Sequence, residues 1–70
     1  MKLLVVSGYE TIKALVRFGF VIKRRSGSHV VLQKDLIVLS VPLHRTLKKG
    51  TLHAILKQAG LSVEEFKDLL

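Results

Sequence analysis

Three histidines, at positions 29, 44 and 53, are the side chains of this 70-residue chain that exchange protons near neutral pH. His29 stands in the most suggestive company. Gly27 and Ser28 come directly before it, and Lys23, Arg24 and Arg25 lie just upstream. That grouping suits cleavage of an RNA phosphodiester, because RNA carries its own nucleophile. One group must remove the 2′-OH proton and another must protonate the leaving 5′-oxygen. Positive charge around the phosphorane then stabilises the transition state, a task for Lys23, Arg24 and Arg25. Gly27 lets the backbone come close to a ligand. Spacing alone still leaves an ordinary strand histidine beside a turn as the commoner explanation.

The remaining candidates are loop and helix residues. His44 and Arg45 sit in the basic stretch Leu43-His44-Arg45-Thr46-Leu47-Lys48-Lys49. Lys48 and Lys49 precede a helix start, where free N–H groups and the helix dipole favour phosphate. His53 falls off the apolar stripe of that helix and reads as solvent-facing. Three scattered histidines and five acids, three of them in the last ten residues, make no ligand set of recognisable spacing. No metal site, cofactor, glycine-rich nucleotide loop or Ser-His-Asp set is expected.

Charge is the strongest bulk signal. Twelve Lys and Arg face five Asp and Glu, a net charge of +7, and residues 1–60 hold eleven of the cations and two of the anions. Such a body points to an anionic partner: nucleic acid, an acidic membrane surface or an acidic protein. Seventy residues suit one domain over 1–70 that buries roughly 60% of its unfolded surface. The 49% hydrophobic content argues for a packed core over disorder. With no cysteine there is no disulfide framework and no thiolate metal site. The opening run Met1-Lys2-Leu3-Leu4-Val5-Val6 is too short for a signal peptide, and no stretch approaches a membrane span. A soluble, cytoplasmic protein is expected.

These residues need elements to hold them. Ser7 and Glu10 have capping-box spacing, so a helix is predicted over 8–18, with Ile12, Leu15 and Val16 as its apolar face and Gly19 as its stop. Glu10, Lys13 and Arg17 fall on the opposite side. Three runs rich in β-branched and aromatic residues follow: 20–24, 28–33 and 36–41. They read as an antiparallel meander, ended by Pro42. Leu52, Ile55, Leu56 and Ala59 then recur at helical spacing. Gly50 or Thr51 is expected to cap that helix and Gly60 to close it. Ser62 and Glu65 open a last short helix carrying Val63, Phe66, Leu69 and Leu70.

Register is predicted by keeping apolar residues together. A two-residue Lys34-Asp35 turn pairs Leu32 with Ile37 and Val30 with Leu39. A three-residue Arg25-Ser26-Gly27 loop adds Phe20 and Ile22 to that face, whereas a two-residue Ser26-Gly27 loop would put Lys23 and Arg25 in the core. His29 then lies on the face away from the helices, between Lys23 and Ser40, with Val21, Val31 and Val38 around it. His44 stands four residues beyond Ser40, ~13 Å along an extended chain. That distance makes it an RNA-contact or loop-packing residue before a second acid or base. The order α-β-β-β-α with a helical tail is a two-layer α+β domain, the arrangement of double-stranded-RNA-binding domains.

Four blocks resemble one known family, in order and over nearly the whole chain. They are Ser7-Gly8…Ile12-Lys13-Ala14-Leu15…Gly19-Phe20, then Arg25-Ser26-Gly27-Ser28-His29, then Val41-Pro42-Leu43-His44. The last runs Leu47-Lys48-Lys49-Gly50-Thr51-Leu52…Ile55-Leu56-Lys57-Gln58-Ala59-Gly60-Leu61-Ser62. Together they resemble the HicA toxins, the YcfA family of mRNA interferases. The resemblance implies a double-stranded-RNA-binding-like fold and cleavage of mRNA with no known metal requirement. It also implies a HicB-type antitoxin as protein partner. The family's catalytic histidine follows Gly-Ser, which maps onto His29. Many members carry a second histidine or an aromatic residue just after that motif, where this chain has Val30-Val31. The residues also admit a non-catalytic RNA-binding module with the same fold, or a protein-interaction piece whose basic surface meets an acidic partner.

Overall fold

The computed structural model describes residues 5–70; Met1–Leu4 of the opening apolar run lie outside it. The elements follow the order α1 (Gly8–Phe18), β1 (Val21–Ser26), β2 (His29–Lys34), β3 (Ile37–Pro42), α2 (Lys49–Ala59) and α3 (Val63–Leu69). The strands form one antiparallel sheet in the order β1-β2-β3. This is the α+β arrangement of double-stranded-RNA-binding domains, with one further helix.

Helix starts are where the sequence dictates local structure most directly. At α1 the Ser7 hydroxyl accepts from the Glu10 N–H at 3.0 Å, and the Glu10 carboxylate accepts from the Ser7 N–H at 2.8 Å. Each thereby satisfies a donor that the helix cannot pair internally. Ser62 and Glu65 repeat the arrangement at α3. The Ser62 backbone N–H, and then its hydroxyl, hold the Glu65 carboxyl below its ordinary pKa of 4.5. The start of α2 is different: its cap is Lys48, with no side-chain cap hydrogen bond, so neither Gly50 nor Thr51 serves. Gly60 closes α2 in the left-handed conformation, φ 77°.

The core joins Ile12, Leu15 and Phe20 to Val30, Leu32, Leu39 and Val41 of the sheet, and to Leu52, Ile55 and Leu56 of α2. Phe66, fully buried, fastens α3 against α1. Val16, predicted to face the core, is 44% exposed; Thr11 and Ala14 are buried instead. The helices make their main sheet contacts with β3, leaving all of β1 exposed.

Both hairpin registers differ from expectation. The β2–β3 loop is Asp35-Leu36, not Lys34-Asp35, so Leu32 pairs with Leu39 and Val30 with Val41. Asp35 takes the left-handed φ of 54°, which Asp tolerates and a two-residue hairpin loop demands. The slip is two residues, so every side chain keeps its face. The β1–β2 loop is Gly27-Ser28, with Gly27 at φ 59°, in place of the three-residue loop. A bulge at Lys23 then shifts the register, so that Ile22 pairs with Leu32 and keeps its expected face, although it is 52% exposed. Arg25 pairs with buried Val30, the core-side placement that the three-residue loop was expected to avoid, yet Arg25 itself stays exposed. The helices lie over β3, so a cation on the helix side of β1 stays in water.

Candidate nucleic-acid interface

The Gly27-Ser28 turn is held from both sides. Arg25 Nε–H donates to the Gly27 carbonyl at 3.4 Å, and the Leu43 N–H donates to the Ser28 carbonyl at 2.6 Å. The second bond joins the turn to the chain leaving β3. His29, the first residue of β2, lies between Ser26 and Pro42 across the sheet, not between Lys23 and Ser40. It is exposed, whereas Val30 beside it is buried and anchors the strand. Alternation puts His29 and Val31 on the face away from the helices.

The observed register carries His44 two residues closer to His29 than the sequence reading allowed. The backbone at His44 is itself fixed, since its carbonyl accepts from the Gly8 N–H at 2.9 Å. Leu47 N–H likewise donates to Val6 at 2.8 Å. Gly8 is the position that sequence reasoning missed. A Cβ there would run into the Pro42 carbonyl oxygen. Only glycine lets α1 start this close to the end of β3, and so sets Pro42 and His44 at the His29 end of the sheet. The available signal was a glycine inside a helix's first turn, where no turn geometry needs one.

The cations divide by position. Arg24 pairs with Val31 and shares the outer face with His29, Arg25 points to the helix side, and Lys23 sits at the bulge; all three are exposed. Arg45 is exposed in the loop after β3. Lys48 caps α2 and Lys49 is its first residue, with no acid in that turn. Both therefore belong to the helix start and do not merely precede it. His53 is exposed on α2, off its buried stripe. Among the described residues, no three His, Asp or Glu side chains come together as a metal-binding group. No helix among them is long and apolar enough to cross a membrane.

A family model described as HicA toxin of bacterial toxin-antitoxin matches residues 8–61 of the chain. No curated protein matches it.

Proposed function

Because the chain belongs to the HicA toxin family, and is thereby a toxin of a toxin–antitoxin system, we propose that it acts as a single-domain endoribonuclease on mRNA in the cytoplasm. The observation that carries this reading is the exposed His29 on a tied turn, with Arg24 on its face and Lys23 and Arg25 beside it. His29 takes the 2′-OH proton, and the freed oxygen attacks phosphorus. The bond to the 5′-oxygen breaks, leaving a 2′,3′-cyclic phosphate, and the departing oxygen receives a proton from a second group. His44 is our candidate for that group, since the chain holds it at the same end of the sheet as His29. Lys23, Arg24, Arg25, Arg45, Lys48 and Lys49 hold phosphates, and the Gly27 and Ser28 backbone lets the strand approach.

The natural check is purified protein, labelled mRNA and chelator. New 5′-hydroxyl ends and cyclic phosphates are expected from the wild type, and none from His29→Ala. RNA that is bound in a salt-dependent way and left uncut by the wild type would make the protein a binding module instead. We further propose that a HicB-type antitoxin covers the outer sheet face. Val21 and Val38, 60% and 56% exposed on either side of Gln33, are the apolar side chains there that a partner would bury.

A further inference from the structure

Among the described residues, β1 is the strand with no buried position. It is an edge of the sheet, and both of its faces lie clear of the helices' main contacts. An edge strand presents a row of unpaired N–H and C=O groups, a template for one more strand. The side chains of β1 divide in two along its length. Val21 and Ile22 are 60% and 52% exposed, and Lys23, Arg24 and Arg25 follow. We propose that β1 takes up an extended acidic segment of a partner protein as a fourth strand of the sheet.

Main-chain hydrogen bonds give such strand addition its affinity, and alternate side chains give it specificity. The cations select an acidic partner. Antiparallel pairing sets that partner's acidic residues ahead of its apolar ones, opposite Lys23–Arg25 and Val21–Ile22 in turn. A second copy of this chain is disfavoured, because pairing two β1 edges brings Lys and Arg against Lys and Arg. The bulge at Lys23 adds to that protection by twisting the edge. RNA would answer the charges but leave the strand edge unpaired, and β1 has no ring on which a base could stack. The inference goes beyond the cleavage reading and does not depend on it. Where both hold, the acidic strand occupies the cations that RNA would use.

The test uses the full chain, isotopically labelled, and a synthetic peptide of about eight residues. Its first half is Asp and Glu, and its second half alternates Val and Thr. At saturation, hydrogen exchange at edge-facing amides within 21–26 is expected to slow about tenfold or more. Peptide N-methylated at alternate residues, and the unmethylated peptide offered to the Arg24→Glu/Arg25→Glu variant, should each bind at least about tenfold more weakly. Unchanged exchange at 21–26 overturns the proposal. Equal binding of the N-methylated peptide does so too, since attraction would then be charge alone. A dimer of the free chain with β1 protected, or protection by a short oligoribonucleotide and not by the peptide, also defeats it. No RNA cleavage enters these measurements, so an inactive enzyme would leave the result standing.

Discussion

Replacing Gly8 by alanine forces a methyl group into the Pro42 carbonyl, and what must shift to admit it is backbone, not a flexible side chain. A loss of about 1–3 kcal/mol in denaturant unfolding is expected, the usual cost of overpacking. Cleavage by the folded fraction should fall as well, because the same contact sets the backbone at His44. A variant that is destabilised yet cuts at the wild-type rate per folded molecule would separate Gly8 from the site. The two histidines carry a second prediction. If His29 and His44 share the proton transfers, the pH–rate profile of the wild type is bell-shaped, and His44→Ala loses one limb. A bell that survives His44→Ala would show that another group donates the second proton.

At the scale of elements, helix starts lend themselves to measurement. Glu65 is held as a carboxylate in the folded state, so its contribution is present above its ordinary pKa of 4.5. That contribution disappears as pH falls through the lower, folded value. Stability followed from about pH 5 to pH 3 should therefore drop further in the wild type than in Glu65→Gln. Parallel acid curves for the two proteins would contradict that. The capping boxes at Ser7 and Ser62 were legible in the sequence because each joins residues three apart. Gly19 and Gly60 were legible because a helix end that needs positive φ favours glycine. Register was not. It turns on Asp35 accepting a left-handed φ and on the bulge at Lys23, and the second makes sense only once β1 is known to lie beyond the helices. At the candidate site, the exposure of His29 could be read from the alternation with Val30 and Leu32. The tie between Gly8 and the segment Pro42–His44 could not, since nothing local announces a contact between distant stretches.

For the whole molecule, charge and size set the expectations. With a net charge of +7, RNA binding should weaken steeply with salt. Six neutralised phosphates would cost about a thousandfold in affinity between 50 and 200 mM. A flat salt response in a filter-binding titration would mean that the basic surface meets something other than a polyanion. Phe66→Ala empties a fully buried site at the α1–α3 contact, and should cost about 3–5 kcal/mol in urea unfolding. Small domains have about 5–15 kcal/mol in all, so that loss is a large share of the total. The bonds from Gly8 to His44 and from Val6 to Leu47 have a further bearing on how this protein is born. A polypeptide emerging from the ribosome completes them only after its middle portion has been synthesised and released from the exit tunnel. Translation halted before that point yields a fragment in which neither bond has formed, so a cell producing this toxin never meets the candidate site on a chain cut short ahead of His44.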